Sequence, residues 1–121
     1  MKRFARAALA AGLVSLAGGT AVAQDAAKVD PKHYKVVADN ARVRVLRIHY
    51  GPHETSIKHW HPDSVVTYLT DGHMKFLLAN GRTITADARA GGSAFEPAGV
   101  HTPTNLSNKA FDAVLVELKG K

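Results

Sequence analysis

From Val36 onward the chain changes sides residue by residue. Arg42-Val43-Arg44-Val45 alternates polar with apolar, and Leu46, Ile48 and Tyr50 carry the alternation on with its phase shifted by one. A period of two is the mark of a strand with one buried face, and the shift predicts a bulge or a strand buried on both faces. Gly51-Pro52 ends the run. Residues 55–61 read as the next extended segment, and residues 65–69, rich in β-branched side chains, close at Asp71-Gly72. Met74, Phe76 and Leu78 then alternate with His73, Lys75 and Leu77 as far as Asn80-Gly81. Asp-Gly and Asn-Gly between alternating runs predict hairpins. Residues 83–86 and 93–96 are short strands on either side of a Gly91-Gly92 turn, and residues 111–118 form the last. No stretch beyond residue 23 has the period of a helix of ordinary length. Many short strands with Gly-rich turns predict an all-β fold, a sandwich or barrel.

The start of the chain has a different character. Met1-Lys2-Arg3-Phe4-Ala5-Arg6 is basic, residues 7–17 are an apolar run, Gly18-Gly19-Thr20 breaks it, and Ala21-Val22-Ala23 offers small residues at a peptidase site. That order is a secretory signal peptide cleaved after Ala23, which predicts a periplasmic or secreted protein. The run is too short to span a bilayer, so no stable membrane anchor is expected. Residues 24–35 are polar and follow neither period, and are expected to form a flexible leader to a single barrel domain over residues 36–121.

Composition adds to this reading in two places. Lys2, Arg3 and Arg6 contribute three of the 16 Lys and Arg, so the net charge of +6 falls to +3 once they are removed. Arg42, Arg44 and Arg47 are then the only close basic group, a solvated strand face suited to small anions rather than to nucleic acid. The chain has no cysteine; neither disulfides nor a lipid anchor can be invoked for an exported fold of this size. A bound metal or a homodimer interface would supply the missing stability.

Histidine carries the chemistry. Four of the seven histidines fall between His53 and His73. In His59-Trp60-His61, residues i and i+2 of a strand project both imidazoles to one face and Trp60 to the other, which is half of a transition-metal site. His101 follows Pro97-Ala98-Gly99-Val100, with Asn105 four residues later. His33 is expected to be exposed in the leader, and His49 and His73 to be surface residues; His53, near the start of the strand carrying His59, is only a candidate for a supporting or mouth residue. Trp60, Tyr68 and Phe76 are expected as core or interface aromatics, Phe95 as a core or pocket residue, and Asn105 as the residue that fixes the loop bearing His101.

Taken together, these residues resemble a small single-domain cupin. The first motif of that family is a Gly, a His-x-His pair, a Glu and a closing Gly; His59, His61 and Gly72 match it. The second is a Gly, then Pro-x-Gly, a His and an Asn; Gly91, Pro97, Gly99, His101 and Asn105 match it. The resemblance implies a cupin-type β-barrel, a double-sheet jelly roll, and His59, His61 and His101 as ligands to one divalent transition metal (Fe, Zn, Cu, Mn or Ni). The sequence departs from the pattern at three points. Val65 stands where many cupins carry a Glu ligand, His53 falls where the first Gly belongs, and the loop between Gly99 and His101 is one residue shorter. Asp63 follows Pro62 in a turn and is not expected to replace the Glu; Glu96 and Glu54 are remoter.

Three neutral imidazoles would leave a divalent ion its full charge and open positions, a shell that favours anionic ligands and acidifies bound water. Thiol and diketone dioxygenases of the family use such a three-histidine centre. Two readings of function follow: a metal-dependent enzyme acting on a small anionic chelating molecule, and a non-catalytic periplasmic protein that binds a metal or small ligand. A third is a barrel acting through protein contacts alone. No catalytic residue is identified, because the chain shows no nucleophile elbow, no carboxylate pair spaced for glycoside cleavage and no general base beyond the ligands.

Overall fold

The computed structural model describes residues 24–120; the segment read as a signal peptide lies outside the described residues. A four-residue helix, α1 (Ala26–Val29), precedes nine strands: β1 (Tyr34–Asp39), β2 (Val43–Tyr50), β3 (His59–His61), β4 (Ser64–Tyr68), β5 (Gly72–Leu78), β6 (Thr83–Ala88), β7 (Ser93–Glu96), β8 (Gly99–Asn105) and β9 (Phe111–Leu118). They form a five-stranded sheet in the order β1-β2-β9-β4-β7 and a four-stranded sheet in the order β3-β8-β5-β6. All strand pairs are antiparallel. This is the double-sheet jelly roll that the strand pattern and the resemblance predict.

Directly opposed residues of an antiparallel pair share a face, so the register gives the interior row by row. Leu46, Leu115, Val66 and Ala94 form one row across the five-stranded sheet, and Ile48, Ala113 and Tyr68 the next. With Tyr34, Tyr50, Met74 and Phe111 these residues make the core. The row at the other end is polar: Arg44, Glu117, Ser64 and Glu96.

That polar row corrects the sequence reading of β2. Pairing between β2 and β9 runs without a break from Val43↔Leu118 to Tyr50↔Phe111, and the irregularity in this region sits in β1, between Val36 and Ala38. The phase of β2 never shifts. Arg44 lies on the same inward face as Leu46, Ile48 and Tyr50, and only its polarity made the pattern look displaced. The solvated Arg face is therefore wrong for Arg44, which pairs with Asp25 and Glu117.

Two further expectations change. The polar stretch 24–35 is packed rather than loose. Ala26 is wholly buried, and Asp30, His33 and Tyr34 are only 3–4% exposed. The His33 ring stacks on Tyr50 at 4.3 Å, with Nδ1 2.7 Å from Asp30 and Nε2 3.1 Å from Glu54. A polar stretch can pack when its polar groups satisfy one another. Of the two turn signals, Asn80-Gly81 makes the β5–β6 hairpin, with Gly81 at a φ of 86° that suits glycine. Asp71-Gly72 instead carries the chain from one sheet to the other, since β4 and β5 lie in different sheets. Gly72 is required there because a Cβ would collide with the Phe111 ring.

Candidate metal centre

Strand alternation puts His59 and His61 on the inner face of β3 and leaves Trp60 on the outer one. β3 pairs with β8 so that His59 opposes His101 directly. Two strands thus bring three imidazoles together. Their ring centroids are 4.7 Å apart for His59 and His61, 4.8 Å for His59 and His101, and 5.4 Å for His61 and His101. One nitrogen from each lies within 4.8 Å of the other two, and among the described residues no other cluster of His, Cys, Asp or Glu could hold a metal ion.

The bonding of these rings decides whether they fit a cation. His59 Nδ1 donates to the Ile57 carbonyl at 2.8 Å, and His61 Nδ1 donates to Glu117 at 2.8 Å. Each bond fixes the tautomer that leaves Nε2 with its lone pair free. Nε2 of His59 and of His101 are buried without any hydrogen-bond partner, a costly arrangement unless something else binds them. Burial, reinforced by the neighbouring imidazoles, holds His59 down to about 4 and His101 to about 3. Near neutral pH both rings are neutral and able to ligate. The donor set fits one divalent transition ion.

Other residues pack around the cluster. Phe76 stacks on His101 at 5.3 Å, and Tyr34 meets His59 edge-on at 4.6 Å. The Tyr34 hydroxyl shares a 2.6 Å hydrogen bond with that of Tyr50, and burial pushes both phenols above their ordinary value. Beside His61 opens a chamber of about 100 Å³, lined by Tyr34, Ile48, Val66, Met74, Phe76 and Phe111 among others. Apart from the imidazole of His61, its ionisable side chains are those of Glu96 and the two tyrosines Tyr34 and Tyr68; Asp87 also borders it, but its carboxylate is exposed and bonds His73 on the outer face.

The remaining candidates sort differently. Asp63 accepts from the Ala98 N–H at 2.8 Å and holds the β7–β8 turn. Glu54 is occupied by Lys32, His33 and the Gly51 N–H. Glu96 lines the chamber, where partial burial raises its carboxyl, opposed by His61. His49 and His73 are surface residues paired with Asp112 and Asp87. His53 is exposed and bonds Asn108, with no contact to the cluster. Phe95 is 57% exposed, on neither the core nor the chamber. His101 sits on a regular strand rather than a loop. Asn105, at the end of that strand, instead pins the following turn, donating to the carbonyls of Gly51 and Lys109 and accepting from Ser107.

Sequence reasoning missed Glu117, which is 2% exposed. The signal was present, since Glu117 continues the inward phase of Phe111, Ala113 and Leu115.

No protein-family model matches the chain, and no curated protein does. Solved structures do. A cupin domain from Bordetella pertussis is 30% identical, with a TM-score of 0.67 over 72% of this chain and 92% of that one. The chain belongs to the cupin family. A double-stranded β-helix protein from Klebsiella pneumoniae is 26% identical, with a TM-score of 0.58 over 73% of this chain and 76% of that one. An RmlC-like cupin from Methanocaldococcus jannaschii shares the fold at 15% identity and a TM-score of 0.57, over 70% and 77% of the two chains.

Two departures of this cupin from the family motif now have a structural meaning. His53 stands in place of the first Gly with a φ of 59°, a conformation that suits glycine. Val65 is not a vacant ligand position. It faces outward, opposite Phe95 and Val116, and the inward residues beside it are Ser64 and Val66. Ser64 is fully buried, and its hydroxyl donates to the Pro62 carbonyl at 2.7 Å. This cupin therefore presents three imidazoles with no carboxylate among them.

Proposed function

We propose that this cupin is an exported protein that holds one divalent transition metal through His59, His61 and His101 and uses it to bind a small molecule in the adjoining chamber. The observation that carries the reading is the pair of buried, unpartnered Nε2 atoms on His59 and His101, in a cluster of three imidazoles. A divalent ion there keeps its full charge and open positions, and so supplies Lewis acidity to whatever binds it. Tyr34 and Phe76 hold the rings in place, and the apolar chamber walls exclude water from a ligand's body.

The chamber refines the ligand class. An anionic head suits the metal, but the walls offer no cation to a second negative charge, and Glu96 would repel one. The ligand that fits has one metal-binding head and a short apolar body. Protein loaded with Co(II) and titrated with short carboxylates tests this through the visible absorption of the ion. Butyrate should bind tighter than acetate, by up to about 0.8 kcal/mol per buried methylene, and succinate should bind more weakly than butyrate. Equal binding of succinate and butyrate would contradict the ligand class. A Co(II) spectrum that never develops would contradict the site.

Enzyme activity is the second reading, favoured by Glu96, whose raised carboxyl lines the chamber near His61 and is placed to exchange a proton with a ligand there. Under that reading Glu96→Gln abolishes turnover while metal content is kept. The order of residues 1–23 supports export. The outward row of Val45, Val116, Val65 and Phe95 across four strands supports a homodimer.

A further inference from the structure

The segment preceding β1 reaches the metal centre by a route that nothing in its sequence announces. Trp60, between the two histidines of β3, donates its backbone N–H to the Gln24 carbonyl at 2.8 Å, and Asp25 bridges Trp60 in parallel. The free edge of β3 is closed in this way. The next turn is held by α1, whose Lys28 and Val29 amides bond the Asp25 carbonyl. The Asp25 side chain is thereby fixed over Arg44. One guanidinium N–H meets Asp25 Oδ2 at 2.9 Å and a second meets the other oxygen. Arg44 Nε donates to Glu117 Oε1 at 2.8 Å, and Glu117 Oε2 receives the His61 Nδ1 proton at 2.8 Å.

We propose that Asp25 and Arg44 are positioning residues of the metal centre, orienting Glu117 and through it the His61 ring. The proposal rests on the three-histidine reading above. A guanidinium bonded along two of its edges has its plane fixed, and a carboxylate held on one oxygen presents the other at a set angle. The charges agree with this role. Two carboxylates share one guanidinium, and the excess negative charge lies against a cluster suited to a cation. Burial agrees too, with side-chain exposures of 13% for Asp25, 19% for Arg44 and 3% for Glu117. Residues 24–30 thus belong to the site rather than to a tail.

The test is zinc affinity, measured by competition with a chromophoric chelator, together with the imidazole proton and nitrogen resonances. Carboxylates that orient a ligand histidine are worth about 10–100-fold in metal affinity. Asp25→Asn and Arg44→Lys should each weaken zinc about tenfold and shift the His61 Nδ1–H resonance, while that of His59, bonded to Ile57, stays in place. Lys119→Ala removes the neighbouring ion pair with Asp39 and should leave zinc affinity unchanged. If Asp25→Asn fails to fold, Arg44→Lys carries the comparison. Wild-type affinity in the variants, or a loss matched by Lys119→Ala with the His61 signal unmoved, overturns the proposal and leaves the metal site standing. A wild-type protein that binds no zinc overturns both.

Discussion

His53 is the residue most plainly at odds with its conformation. Left-handed backbone costs a non-glycine residue roughly 1–2 kcal/mol, and glycine returns about 0.5–1 kcal/mol of that in chain entropy. His53→Gly should therefore raise stability by about 0.5–1 kcal/mol in urea denaturation. A loss would show that the ring's bond to Asn108 outweighs the strain. Glu54 gives a pH dependence. Lys32, the Gly51 amide and His33 hold its carboxyl down to about 2, against an ordinary 4.5. A carboxyl depressed in the folded state stabilises above its unfolded value and loses that contribution as pH falls through the folded one. Wild type should accordingly lose more stability than Glu54→Gln between pH 4.5 and 2; parallel losses in acid denaturation would contradict the assignment. The same scale shows where the sequence was readable. His59 and His61 were legible because a two-residue spacing fixes their side on any strand. Arg44 and Glu117 keep the inward phase of their strands, but a charged residue at such a position reads as surface until its partner is known.

At the scale of elements, the strands that alternate cleanly were legible, and those whose pattern is broken by chemistry were not. β5 and β9 follow from their alternation. β8 has Gly99 and Pro103 within it and reads as a motif-bearing loop, although its backbone pairs along both neighbours. β3 is only three residues long because residues 55–58 lie outside regular strand. Asp71-Gly72 misled because its glycine answers a packing demand from Phe111, not a turn. The end of β8 carries a prediction. Asn105 is fully buried, and Asn105→Ala strands two carbonyls and an amide, so stability should fall by about 3 kcal/mol. A loss below about 1 kcal/mol would mean that water replaces the amide.

Over the whole molecule, the two sheets divide the work. The four-stranded sheet contributes the three imidazoles, the five-stranded sheet contributes the polar row that supports them, and both share in the apolar wall of the chamber. Family and fold were legible from the two motifs and the strand pattern; the packing of residues 24–35 was not, since it depends on partners far along the chain. On the outer face, Phe95→Glu should convert a dimer to a monomer in sedimentation, and an unchanged mass would place the interface elsewhere or remove it. The central claim is the metal. Elemental analysis of purified, metal-repleted protein should find one equivalent of a divalent transition ion in the wild type and in His73→Ala, and none in His59→Ala or His101→Ala. A wild type without metal, or metal retained in both of the latter variants, would contradict the account.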